Sequence, residues 1–236
     1  MRQLAYILFW SLCGAILPNT LLSQRYDFQW VFGDNWVDGD LEQIENIQFD
    51  FHERPVSISV VDSIDMIFYF TRTAIADASG DLLFYSNGCR IKNRWAEVME
   101  NGDTLNPGPE YDYYCTTENL WNTFPSGPQS MLSLPLPQQD SIWYLFHTDI
   151  NVDDPDIGAN HLYYTIVNTA ALGGHGVVEA KNVILDNGPT IGGLTAAKTN
   201  DGSGWWIPTP KRASNDFSVF LLDSLGVSLH HFANSR

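Results

Sequence analysis

The sequence predicts an all-β fold, on three observations. Beyond residue 24 the 3.6-residue periodicity of amphipathic helices is hard to find. Short apolar runs bounded by Gly, Pro, Asn and Asp recur instead, and the turns between those runs carry hairpin chemistry. Taken in order, strands are expected at Phe28 to Phe32, Ser57 to Val61, Met66 to Phe70, Leu82 to Ser86, Ser130 to Leu134, Ile142 to His147, His161 to Val167, Trp205 to Pro208 and Phe217 to Leu222. The expected turns are Asp77-Ala78-Ser79-Gly80, Asn101-Gly102, Gln138-Gln139-Asp140, Asn200-Asp201-Gly202 and Ser224-Leu225-Gly226, rich in residues that tolerate the positive φ of a tight bend.

Composition sets the class of molecule. The 236 residues suffice for one sizeable domain with a hydrophobic core, and 44% hydrophobic against 17% charged residues, with 8 Trp, 10 Tyr and 13 Phe, describes a chain that folds. A formal charge of -16 argues against nucleic acid and anionic lipid as partners, because a polyanion would be repelled. Divalent cations, neutral glycans and proteins are the easier partners.

The N-terminus reads as an export signal. Met1 and Arg2 form a short positive region, and an apolar stretch from Leu4 to Leu17 follows. Pro18, Asn19 and Thr20 interrupt it before the roughly 20 apolar residues that a membrane span requires. A signal peptide is therefore expected over residues 1–23, with cleavage beside Gln24, no membrane span after its removal, and a secreted or cell-surface location on the outer-membrane exterior. Cys13 leaves with the leader. Cys89 and Cys115 remain, either as a disulfide closing a loop of about 26 residues, worth roughly 3 kcal/mol, or as two buried thiols.

A weak internal repeat refines the fold class. Its unit is a strand of small or apolar residues, a polar turn and an aromatic-rich strand: Thr73 to Ala76 before Leu82-Leu83-Phe84-Tyr85, Met131 to Leu134 before Ile142-Trp143-Tyr144-Leu145-Phe146, and Leu194 to Ala197 before Trp205-Trp206-Ile207. The aromatic strands recur at intervals of about 60 residues, a little longer than the propeller repeats of roughly 40 to 50. Each unit is expected to be the central hairpin of a blade, with small residues such as Ala76 and Ala196 on the strand nearest the axis. The expected architecture over residues 24–236 is thus a partial β-propeller of roughly three to four antiparallel blades, incomplete at the C-terminus; a β-sandwich is the alternative.

The same residues carry a family resemblance. Trp30-Val31-Phe32-Gly33-Asp34-Asn35, then Ala76-Asp77-Ala78-Ser79-Gly80-Asp81-Leu82-Leu83-Phe84-Tyr85-Ser86-Asn87-Gly88, are followed in order by Met99 to Asp103, Gln129-Ser130, Pro135 to Pro137, Tyr144 to Phe146, Leu162 to Tyr164, Gly173 to Val178 with Lys181-Asn182, Leu194 to Lys198, and Asn215 to Phe220. This succession resembles the N-terminal propeller-like region of secreted, gliding-motility-associated and type IX secretion cargo proteins of the Bacteroidetes. The resemblance implies a surface-displayed or released protein, often with adhesion-like modules and a C-terminal sorting domain downstream, and it supplies structural rather than catalytic positions. The chain departs from the pattern by reaching Arg236 without such modules and by carrying an added segment, Glu110 to Pro128, rich in Tyr and Trp.

Few side chains suggest chemistry. Asp149, Asn151, Asp153 and Asp156 alternate oxygen donors like the first part of a calcium loop, making calcium the one candidate cofactor. The rest of that loop fails: Asp154 stands where the sharp turn needs Gly, and Asn160 where a bidentate Glu would close the shell. A solvated acidic hairpin loop is the competing reading, and a second acidic loop, Asp34, Asp38 and Asp40, is weaker. His52, His147, His161, His175, His230 and His231 form no ligand motif. Asp77, Asp140 and Asp201 recur in the repeat, where backbone hydrogen bonding in turns accounts for them. No catalytic residues are assigned. The function expected is noncatalytic binding or adhesion outside the cell, to a protein or a glycan, with Trp36 and Trp121 as candidate stacking residues. The alternative is a fragment of an extracellular glycan- or peptide-acting hydrolase.

Overall fold

The computed structural model describes residues 25–33, 45–68, 71–116, 122–153, 158–190 and 192–234. The leader, Asp34, Trp36, Asp38, Asp40, Trp121 and Asp156 lie outside the described residues. The rest is all-β and forms four antiparallel sheets in chain order. Sheet 1 comprises β1 (Gln29–Phe32), β2 (Ile47–Asp50) and β3 (Ser57–Val60), and sheet 2 comprises β4 (Thr73–Ala76), β5 (Leu82–Ser86) and β6 (Ile91–Asn93). Sheet 3 holds β7 (Met131–Leu136), β8 (Gln139–Thr148), β9 (His161–Asn168) and β10 (Val177–Asn187). Sheet 4 holds β11 (Ala197–Lys198), β12 (Trp205–Pro210), β13 (Asp216–Asp223) and β14 (Gly226–Asn234). A single turn-and-a-half of α-helix, α1 (Pro109–Tyr114), lies between β6 and β7.

Side-chain alternation decides how the sheets stack. Along β8, Trp143 and Leu145 point one way and join Ile75, Phe84 and Ile91 of sheet 2 in one core cluster. Tyr144 and Phe146 point the other way and join Ile207, Phe220 and Leu222 of sheet 4 in a second. Sheet 2 is used in the same manner, since Tyr85 leaves the first cluster and packs with Val31, Ile64, Met66 and Phe68 on the side of sheet 1. Burying both faces of the middle sheets takes more than two layers, the face-to-face stacking that propeller blades share with packed sandwich sheets. The first strands β1, β4 and β7 lie side by side, and the Thr73 and Ser133 hydroxyls meet at 3.1 Å between β4 and β7.

Several details differ from the sequence expectation. The repeat unit is the opening hairpin of a blade (β4–β5, β7–β8, β11–β12), not its central pair, because each blade adds its later strands on the far side of the aromatic one. The opening segment is a full three-stranded sheet. Strands β2, β6, β10 and β14 went unforeseen: the first two are short, β10 slips register around Ala180, Val183 and Asp186, which breaks the period-two signal, and β14 pairs with β13 through a register shift at Val219/Phe220. Conversely, Met66 to Phe70 contributes only a bridge from Phe68 to Gly33 among its described residues. The β7–β8 turn falls on Pro137-Gln138, with Gln138 at φ 68°, one residue earlier than expected.

The added segment is fastened to sheet 2. Cys89 and Cys115 form a disulfide with their Cα atoms 5.4 Å apart, and with Phe124, Ile150 and Tyr111 they make a small satellite core. Phe124 is completely enclosed, and its Cβ lies where any side chain on Gly88, at φ +83°, would have to go. Replacing both cysteines by Ser is expected to lower stability by roughly 3 kcal/mol, since the bridge closes a 26-residue span of the unfolded chain. Urea midpoints of the variant and of wild type, in non-reducing buffer, check this.

Candidate ligand groove along the first strands

A groove runs over the first strands of the sheets and is organised around Tyr26. The segment before β1 is laid against sheet 2 by a hydrogen bond from the Ala76 N–H to the Tyr26 carbonyl, 2.9 Å. That bond fixes the Tyr26 ring edge-on to Trp143, with centroids 4.8 Å apart at 81°. One arm of the groove leads from Tyr26 past Asp27 and Trp30 to Trp205. The other leads past Asp77, Asp140 and Ser141, with Trp143 as the common floor.

The aromatic walls are held in different ways. Trp30 stands 48% exposed on β1, in edge contact with Phe32 and Phe51. Trp205, at the start of β12, donates its indole N–H to the Pro135 carbonyl at 3.2 Å and carries the Lys198 ammonium 5.1 Å from its ring centre. Burial, followed by the Asp140 charge, raises the Tyr26 phenol above its ordinary pKa, so the hydroxyl stays protonated and can donate. The lining therefore offers flat apolar rings interleaved with carboxylates and hydroxyls.

Two of the acids in the repeat turns, Asp77 and Asp201, are committed to structure. Partial burial works against ionisation of Asp77, but the Arg94 guanidinium at 2.9 Å and the Ser79 and Asp81 N–H groups prevail and hold its carboxyl below the usual range. Asp201 is pulled down to about 2 by the Thr199 hydroxyl and by the N–H and hydroxyl of Ser203. Both are turn caps, as the repeat implied. Asp140 instead is the second residue of β8 and faces the groove.

The expected calcium donors sit in the β8–β9 connection. Asp149 Oδ1 accepts the N–H groups of Asn160 (2.7 Å) and His161 (2.9 Å), and Oδ2 lies 2.7 Å from His161 Nδ1. Asn151 Oδ1 accepts the Asp153 N–H at 3.1 Å, and Asp153 itself is exposed. These oxygens close the connection as an Asx-type loop, and no three His, Cys, Asp or Glu side chains converge among the described residues. The hydroxyl that reaches His161 belongs to Tyr163, 3.0 Å away, whose pKa burial and then the Asp149 charge push up to about 12. A phenol held protonated is a structural donor here and no nucleophile.

The other described histidines are scattered. His52 bridges Asp50 and the Ser79 carbonyl, His175 contacts Glu97 and lies 4.8 Å from the Trp95 ring, and His230 lies against Trp206. Residues Gly173 to Gly176 form the tight β9–β10 connection.

Sequence reasoning did not single out Tyr26, Asp27 or Trp30. The signal available was a Trp and a Phe alternating with Val31 on β1, which places both aromatics on the face opposite the core. The chain matches no protein-family model, no curated protein and no solved structure.

Proposed function

We propose that the chain is a noncatalytic binding module working outside the cell, at the surface or after release, and that the groove around Tyr26 holds a neutral saccharide chain. The observation that carries the reading is the succession Trp30, Asp27, Tyr26, Trp205: exposed or half-exposed rings alternate with groups that hydrogen-bond hydroxyls. A sugar ring needs both, an apolar face on an aromatic and polar partners at its rim. The strongly acidic charge keeps polyanions away and tolerates neutral polyols. The export signal and the family resemblance agree with an extracellular setting. No helix of the described residues is long and apolar enough to cross a membrane.

The test is a glycan array read with wild type, Trp30→Ala and Asp27→Asn, alongside hydrolysis assays on every glycan bound. Binding by wild type is expected, with Trp30→Ala about tenfold weaker through the loss of roughly 1.4 kcal/mol of ring contact. Turnover of a bound glycan, or binding indifferent to both substitutions, would defeat the proposal.

A further inference from the structure

We infer that the saccharide is branched: its main chain follows the two arms of the groove already described, and a one-sugar side branch enters a third arm that opens beside Tyr26. The inference rests on the groove being a saccharide site and narrows that proposal to one class of chain. The third arm lies between two turns, the β7–β8 turn at Pro137 and Gln138 and the β11–β12 turn at Gly202 and Ser203, with Lys198 and Trp205 beside them.

The three arms meet at one point. Tyr26 lines all of them. Trp143 lines the first and second, Trp205 and Pro135 the first and third, and Asp140 the second and third. Hollows that share a wall in every pairing, and one residue throughout, are the limbs of a fork. The end of the β7–β8 hairpin is its wedge, with Asp140 and Ser141 lining the second arm and Pro137 and Gln138 the third. Asp140 stands close enough to Tyr26 for its charge to act on the phenol, so a carboxylate and a hydroxyl mark the junction itself.

Size assigns the main chain and the branch. The first and second arms enclose about 330 and 320 Å³, at the lower end of the roughly 300 to 1,000 Å³ of ligand sites, whereas the third encloses about 130 Å³. A chain of sugars runs through the first two in succession, over Trp143, and the third has room only for a short stub. A sugar ring carries hydroxyls all around its rim, so one residue seated at Tyr26 sends chain in three directions, which an unbranched glycan or peptide does not. Each arm offers a ring with polar groups near it: Trp30 with Asp27, Trp143 with Ser79, and Trp205 with Gln138 and Ser203. Once the branch-point sugar is seated, translational and rotational freedom is already lost, and the side sugar adds its contacts without a second such cost.

Calorimetric titration with neutral pentasaccharides of glucose, galactose, mannose or xylose tests this, each sugar supplied as the linear chain and as isomers carrying one side sugar on an internal residue. For the sugar that binds, the best branched isomer is expected to bind about tenfold tighter than the linear chain, the equivalent of about 1.4 kcal/mol of added contact. Gln138→Trp, which fills the third arm from an exposed turn position, is expected to abolish that preference. Trp30→Ala is expected to weaken linear and branched chains alike, because of the three arms Trp30 lines only the first. Equal affinities of wild type for linear and branched isomers, or a preference that survives Gln138→Trp, would overturn the branch assignment and leave the saccharide site standing. No binding of any of these chains would remove both.

Discussion

Replacing Trp143 by Ala is expected to cost about 3 to 5 kcal/mol, the range for deleting a buried aromatic side chain. The indole is 1% exposed and ties three parts of the molecule together. It sits on β8 of sheet 3, meets Phe84 of sheet 2 edge-on at 5.8 Å, and supports the Tyr26 ring at 4.8 Å. Deleting it opens a void between two blades and removes the floor of the groove, so stability and any ligand affinity fall together. Trp143→Phe is expected to cost less, because the indole N–H is buried without a protein acceptor and its removal strands no partner. Equilibrium urea unfolding measures both, with Trp30→Ala as a control expected within about 0.5 kcal/mol of wild type for an exposed side chain. A loss below 1 kcal/mol for Trp143→Ala would mean that sheets 2 and 3 are not stacked through this ring.

That ring also shows how much of the fold was legible. The run Ile142-Trp143-Tyr144-Leu145-Phe146 announces a strand buried on both faces, and a strand of that kind implies a layer on either side, so the stacked architecture could be read from five residues. The matching runs at Leu82 to Tyr85 and Trp205 to Ile207 gave the blade spacing. What stayed hidden was set by tertiary contacts. Strand β10 interrupts its alternation with Glu179, Lys181 and Asn182, because Lys181 reaches out to Asp103 and Asn182 turns to φ 55° to bond the loop at Thr104. The groove was hidden for a related reason: Tyr26 lies outside any strand, and only the bond from Ala76 brings it onto Trp143. The acidic run from Asp149 offered either a calcium loop or a solvated hairpin loop in sequence, and in three dimensions Asp149 and Asn151 of that run accept the N–H groups of Asn160, His161 and Asp153.

Stability should fall as pH drops from about 6.5 towards 4.5, and His147 is the group responsible. The imidazole is fully buried, with Nδ1 2.6 Å from Asn106 Oδ1 and Nε2 3.0 Å from the Thr165 hydroxyl. Asn106 Nδ2 donates to the Gly88 carbonyl, so its Oδ1 can only accept from Nδ1–H, and the Thr165 hydroxyl, which also accepts the Asn182 N–H, donates to Nε2. The ring is therefore neutral, with its proton on Nδ1, and a second proton would face a donor. Burial lowers its pKa to about 3. In the unfolded chain the same histidine takes up a proton near pH 6.5, so below that point unfolding binds a proton that folding excludes. The resulting slope approaches about 1.4 kcal/mol per pH unit and persists until the folded-state pKa is reached. His52 acts in the opposite sense: the Ser79 carbonyl and then Asp50 raise its pKa, so its contribution is present at low pH and is lost as pH rises through the raised value. Asp201, held to about 2, contributes above the unfolded carboxylate pKa and loses that contribution only as pH falls below about 4. Between pH 6 and 4.5 the descent accordingly reports His147. Urea midpoints across that window should drop steeply for wild type and run nearly flat for His147→Gln, whose amide can still donate to Asn106 without titrating. Equal slopes for the two proteins would show that the imidazole is reachable by water and protonates in place.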